Sequence, residues 1–285
     1  MRARWASGFV SVAAVVLMPS SASAALQEQG QGPTKLDEVR RASLILGAEV
    51  LGPGNERGLG TVEDLIMDER GVIRFVLISR GDLPGMVEDR VPVPAGQATF
   101  SRIDETRWQV HLGVPGDRLD EAPKLGEDPV GVLAQDERRS AIDSHFAQDE
   151  GGVVERPPGE PGGRSLARMS RLLGAEVGAA GGGAEDPVAA VEDLLIDAEG
   201  RIVYAVLDRA GATGPGKSMI PVPAGKLRIV PDSTGEMVEV RSALGSAHLD
   251  RAPSLDGEWN KMLNGSFVAG VTNCFADVPS LGEAP

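Results

Sequence analysis

The chain has 285 residues, 41% of them hydrophobic, which allows one to three globular domains with cores of their own. Its 42 acidic residues against 28 basic ones leave a net charge of −14, and that sets aside nucleic acid and anionic lipid as partners. A single cysteine, Cys274, excludes an internal disulfide, so each domain must be held by its core alone. Cys274 is read as incidental, with an intermolecular link as its other use.

The first element is a leader. Arg2 and Arg4 form a basic start, residues 8–18 an apolar run, and Ala22-Ser23-Ala24 a small-x-small cleavage pattern. The apolar run is short for a membrane span, so cleavage after Ala24 is expected, and no integral span is expected to remain. Losing residues 1–24 removes two Arg and takes the charge to −16. Residues 25–40 then read as a disordered N-terminal segment.

From there the chain says the same thing twice. "LGAEV" at Leu46 recurs at Leu173, "VEDL" at Val62 recurs at Val191, "VPVPAG" at Val91 recurs as "IPVPAG" at Ile220, and "LDEAPKL" at Leu119 recurs as "LDRAPSL" at Leu249. The offsets are 127, 129, 129 and 130, and this constancy of order and spacing marks a duplication. One copy spans residues 41–125 and the other 169–255.

Within a copy the strongest local signal is a hairpin. "VEDLIMD" and "VIRFVLIS" flank Asp68-Glu-Arg-Gly71, and "VEDLLID" and "RIVYAVLD" flank Asp197-Ala-Glu-Gly200. Asp opening the turn can bond the turn backbone, and Gly closing it can take the left-handed conformation. The consecutive apolar residues of "RIVYAVL" predict a strand covered on both faces. Pro at alternate positions of "VPVP" and "IPVP" cannot donate to a ladder, which predicts edge strands. "KLRIVP" and "EMVEVRS" predict a second hairpin, and "LGSAHLDR" a short helix stopped before Pro253.

Between the copies, residues 126–168 read as a linker. Residues 136–148 predict a short helix, and the Gly-, Pro- and Glu-rich stretch 149–165 a semi-flexible tether. Residues 256–285 form a weakly apolar C-terminal tail. The copies are therefore expected to be separate domains, each folding alone.

In order and spacing, "LLGAEV", "VEDLLIDAEGRIVYAVL", "MIPVPAGKLRIV" and "LDRAPSL" resemble the PRC-barrel domain, as do "LILGAEV", "TVEDLIMDERGVIRFVL", "VPVPAG" and "LDEAPKL". The resemblance implies an all-β chain of two tandem small barrels, each with a short terminal helix. It implies docking or adaptor use and carries over no catalytic residue. The family's photosynthetic reaction-centre H subunit keeps a membrane span, and its ribosome-maturation factor works beside RNA; an exported acidic chain fits neither role.

No motif points to catalysis, a cofactor or a metal. "GATGPGKS" (211–218) matches a phosphate-binding loop by letter, but Pro221 and Pro223 deny it the helix that must follow. The pairs Glu63/Asp64 and Glu192/Asp193 are adjacent in strands, so their carboxylates are expected on opposite faces, unable to share acid–base work. Solvated or structural use is expected of them, with a weak calcium site as the alternative. His111, His145 and His248 show no ligand spacing. The loop 178–187 differs most between the copies and reads as a connection, or else as a recognition loop.

These readings predict an exported, non-catalytic protein, periplasmic or secreted, that docks a protein partner of the cell envelope through barrel rims and Pro-bearing edges. The alternative is an envelope stress or membrane-associated accessory protein that binds a small ligand or cation between the barrels. An enzyme ranks third.

Overall fold

The computed structural model describes residues 36–80, 89–126, 128–147, 165–179, 187–209, 218–232, 234–235 and 237–280. The leader, the segment 25–34, the tether 149–164, most of the loop 178–187 and all but Ser218 of the phosphate-loop look-alike lie outside the described residues.

The chain runs β1 (Arg40–Arg41), α1 (Ala42–Ile45), β2 (Glu49–Leu51), β3 (Thr61–Asp68), β4 (Ile73–Arg80), β5 (Asp89–Pro94), β6 (Ala98–Arg102), β7 (Trp108–Leu112) and α2 (Gly116–Asp120). Two more helices follow, α3 (Pro129–Leu133) and α4 (Asp136–Phe146). The order then repeats as β8 (Leu166–Arg168), α5 (Met169–Leu172), β9 (Glu176–Ala179), β10 (Ala189–Ile196), β11 (Ile202–Arg209), β12 (Met219–Pro223), β13 (Leu227–Pro231), β14 (Val238–Ser242) and α6 (Ser246–Arg251). A 3-10 turn, Trp259–Leu263, leads into α7 (Gly265–Cys274). Most elements are strands, and no helix among the described residues is long and apolar enough to cross a membrane.

The strands make two seven-stranded sheets with one topology, β5-β4-β3-β2-β7-β6 and β12-β11-β10-β9-β14-β13. The hairpin of each repeat, β3–β4 or β10–β11, sits inside its sheet, and the Pro-bearing β5 and β12 end the strand order. Turn chemistry sets these hairpins. The Asp68 carboxylate accepts the Arg70 and Val72 amides at 3.0 Å, and Asp197 accepts those of Glu199 (3.0 Å) and Arg201 (2.8 Å). Gly71 and Gly200 close the turns at φ 74° and 76°, where a side chain would be strained.

The terminal block of each repeat is an anchor. Arg80 bonds Asp120 (2.6 Å), as Arg209 bonds Asp250, and this pins the α2 and α6 helices to β4 and β11. Leu125 and Leu255 donate their amides to Arg90 and Met219, each at 2.8 Å, and bury their side chains.

The seventh strand of each sheet comes from the other repeat. β1 pairs with β10, Arg40 opposite Ile196 and Arg41 opposite Leu195. β8 pairs with β3, Arg168 opposite Ile66 and Ala167 opposite Met67. The hairpin turns also meet: Ile73 donates to the Gly200 carbonyl (2.8 Å) and Ile202 to the Gly71 carbonyl (2.9 Å). The described residues belong to one compact unit, and their buried apolar side chains form one continuous cluster.

The expectation of two separate, tethered domains is thus corrected. A two- or three-residue strand has no periodicity to betray it, so residues 40–41 and 166–168 fell at the edges of the repeats. Leu36 and Val39 are buried, which removes part of the expected disordered segment. The linker and tail are also partly built into the fold. α4 covers residues 136–146 of the stretch 136–148 read as a short helix, and Val130, Leu133, Ile142 and Phe146 are buried, as are Met262, Val271 and Phe275. Leu133, Ile142 and Phe146 stand 129 positions before Met262, Val271 and Phe275, so the duplication extends through α4 and α7.

Candidate functional site: two strand-exchange nodes

Each exchanged strand carries Arg-x-Ser. Arg41-Ala42-Ser43 ends β1 and opens α1, and Arg168-Met169-Ser170 does the same for β8 and α5. A helix start leaves amides without partners, and neither Arg41 nor Arg168 caps its helix by side chain. The cap comes from the other repeat. The Ser43 amide donates to Asp193 Oδ1 (3.1 Å), and the Ser170 amide to Asp64 Oδ1 (3.0 Å).

The remaining bonds are as closely matched. Arg41 Nε donates to Asp193 Oδ2 at 2.8 Å, and Arg168 Nε to Asp64 Oδ2 at 2.7 Å. The Ser43 hydroxyl reaches Asp193 Oδ2 at 2.5 Å, and the Ser170 hydroxyl bonds Asp64 Oδ2. Leu194 and Leu65 give their own amides to Asp193 and Asp64, each at 2.9 Å. Asp64 and Asp193 are fully buried, so each is a charge removed from water and repaired by four donors, three of them from the other repeat.

The acidic pairs therefore do not behave as expected. A bulge falls between Val62 and Asp64, and another between Val191 and Asp193, which breaks the simple alternation of faces. Arg168 consequently bonds Asp64 through Nε and Glu63 through Nη2 (3.2 Å), while Arg90 holds Glu63 from the other side (2.9 Å). Asp64 and Asp193 are structural, as allowed, but not solvated. The signal for them was present: Arg-x-Ser recurs at offset 127, as "LGAEV" does.

Other candidates are spent on local structure. Asp68 also accepts Arg74 Nε (2.8 Å). His145 Nε2 lies 2.8 Å from the Arg118 carbonyl, and His248 Nδ1 accepts the Gly245 amide (2.9 Å). His111 lies in β7. No three His, Cys, Asp or Glu side chains converge on a metal position among the described residues. Cys274 is half-buried, and its carbonyl accepts Arg251 (3.1 Å). The phosphate-loop look-alike leads into strand β12, not a helix.

Two features lie apart from the nodes. Tyr204 stands where the first repeat has Phe75, and its buried hydroxyl has no hydrogen-bond partner among the described residues. Burial pushes that phenol's pKa up against the opposing effect of the nearby Thr272 side chain, whose hydroxyl donates to the Val268 carbonyl (3.0 Å). The second feature is a turn shared by the β6–β7 and β13–β14 hairpins. Asp104 accepts the Thr106 and Arg107 amides at 2.9 and 3.0 Å, and Asp232 accepts the Thr234 amide at 3.1 Å. The Thr106 amide and the Arg107 side chain hold the Asp104 carboxyl down at about 2, and Thr234 lowers that of Asp232. Beside these turns stand two exposed large apolar side chains, Ile103 (46%) and Met237 (74%).

Residues 37–118 match the family model of the PRC-barrel domain, which covers β1 to β7 and the start of α2. No curated protein matches the chain.

Proposed function

We propose that the chain is an exported, non-catalytic docking module of the cell envelope, built from two PRC-barrel-like barrels, the second made by residues 169–255. The match over residues 37–118 supports the first barrel, and the repeated blocks with the common strand order support the second. The leader ending at Ala24 supports export.

The observation that carries docking is the pairing of a fixed turn with an exposed apolar side chain in each repeat. Asp104 and Asp232 lock the turns, and Ile103 and Met237 stand out beside them. A rigid loop presenting an apolar anchor suits a protein partner, because little entropy is lost when it docks. A ligand or cation held between the barrels has less support, since the seam carries the two Asp nodes and the meeting of the hairpin turns.

The test uses protein beginning at Ala25 as bait on its own cell envelope, wild type beside Ile103→Asp/Met237→Asp. A partner captured by the wild type and lost with the variant, at an unchanged melting point, is expected. Capture of the same proteins by both removes docking at these tips. Retention of Met1 on the native protein removes export.

A further inference from the structure

We infer that the strand-exchange surface accepts a second copy of this chain: β1 and β8 of one molecule can complete the sheets of another, giving a strand-exchanged dimer.

The two nodes are chemically interchangeable. Each consists of one buried aspartate, one Arg Nε at 2.7–2.8 Å and one Ser amide at 3.0–3.1 Å. The registers correspond as well, since Arg41 faces Leu195 and Arg168 faces Ile66, and Leu195 and Ile66 are 129 positions apart. Every contact across the seam joins one repeat to the other: strand pairing, Asp nodes and the meeting of Gly71 with Ile202. Whether those repeats belong to one chain or two changes connectivity and no contact. Such a dimer would bury the same side chains and satisfy the same donors as the monomer.

What separates the two forms is chain entropy. Covalent linkage makes pairing within one chain intramolecular, with an effective concentration on the order of mM. The dimer is therefore favoured where local protein concentration approaches that range, or where the intramolecular pairing is made unfavourable.

The second condition gives the test, on full-length chains. Asp64→Arg places Arg against the chain's own Arg168, and Arg168→Asp places Asp against its own Asp64. Mixed, one molecule's Arg at 64 meets the other's Asp at 168, while the native Asp64 and Arg168 meet at the second seam. Each variant alone is expected to melt well below wild type. The pair, unfolded together and refolded at equal amounts, is expected to give a dimer of one chain each by light scattering and mass-tagged chains, with most of the melting point regained. A mixture that behaves as the sum of its parts overturns the inference, provided the double variant Asp64→Arg/Arg168→Asp folds as a monomer. If that double variant does not fold, wild type decides. Two mass-tagged wild-type chains refolded together at rising concentration are expected to give a growing mixed dimer that persists on dilution, and monomer alone at every concentration overturns the proposal.

Discussion

Arg168 and Arg41 hold equivalent aspartates by equivalent bonds, yet different things stand behind them. Arg168 spreads its guanidinium over Asp64 and Glu63, and Glu63 is also held by Arg90. Arg41 bonds Asp193 and Ser43, and its guanidinium lies 3.7 Å from the ring centre of Trp259. One node is thus backed by a second carboxylate and the other by an aromatic face. In the first repeat the position 129 before Trp259 is Val130, which cannot stack on a cation. The lesson is that the exchanged strand is specified by the aspartate and its donors, while the arginine's outer environment is free to vary.

The comparison breaks most severely at the aspartates. Asp64→Ala or Asp193→Ala leaves a poorly solvated arginine and an uncapped helix start, and about 3–5 kcal/mol should be lost in either case. Because each node joins both repeats, either change should lower the unfolding of both together. Protein beginning at Ala25 contains two tryptophans, Trp108 in the first repeat and Trp259 in the second. Single-tryptophan versions followed in urea should show coincident transitions. Separate transitions in wild type would mean that the exchange does not couple the cores.

Gly71→Val and Gly200→Val come next. A left-handed φ is costly for a β-branched residue, and about 2 kcal/mol should be lost at each site. An added Cβ at Gly71 would stand 3.4 Å from Ile202, in the other repeat, and one at Gly200 would stand 3.8 Å from Ile73. Amide exchange should therefore quicken in both hairpins for either variant. Damage confined to the mutated repeat would sever the seam from the turns.

A smaller change sharpens the difference between the nodes. Trp259→Ala removes the stacked face from Arg41, and the electrostatic part of the loss should be about 1 kcal/mol. A double-mutant cycle with Arg41→Gln, which removes the cation, isolates it from the packing loss, and the same cycle with Arg168→Gln should show no coupling. Tyr204→Phe makes the second repeat match the first at Phe75. Deleting a buried hydroxyl without a partner should leave stability equal or raise it by about 1 kcal/mol in chemical denaturation.

Much of this architecture could be read in the chain. Asp68 to Gly71 and Asp197 to Gly200 announced their turns because Asp and Gly act there through local backbone chemistry. Pro92 and Pro221 announced terminal strands because a missing amide cannot serve two neighbours. The exchange was not legible, since Arg41-x-Ser43 would look the same whether its aspartate lay in its own repeat or the other. Duplication makes the two pairings locally identical, and only the whole chain distinguishes them. The pairing of Glu63 with Asp64 on one guanidinium was hidden for another reason: a bulge shifts the side-chain period by one residue and leaves no mark in composition. By contrast, Phe146-Ala147 and Phe275-Ala276, again 129 apart, could have extended the repeat through the terminal helices.

The smallest effect tests the two hairpin tips. Asp104 and Asp232 do the same work and each accepts a threonine hydroxyl, Thr106 at 3.0 Å and Thr234 at 2.9 Å, but the Arg107 side chain adds a charged donor at 2.6 Å to the first turn. A carboxyl held at about 2, against 3.8 for the free group, binds its proton less readily folded than unfolded. Its contribution is complete above about pH 4 and is lost as the pH falls through about 2. Both groups are at the surface, so the effect should stay local and weaken with salt. Carboxyl chemical shifts followed from pH 5 to pH 1.5 should show both groups titrating below an ordinary aspartate, and the Thr106 and Thr234 amides should shift with the carboxylate they serve. Arg107→Gln should raise the Asp104 midpoint and leave that of Asp232 in place. If the Asp104 midpoint stays fixed in that variant, the backbone amides and the Thr106 hydroxyl set it, and the two tips are equivalent despite the arginine.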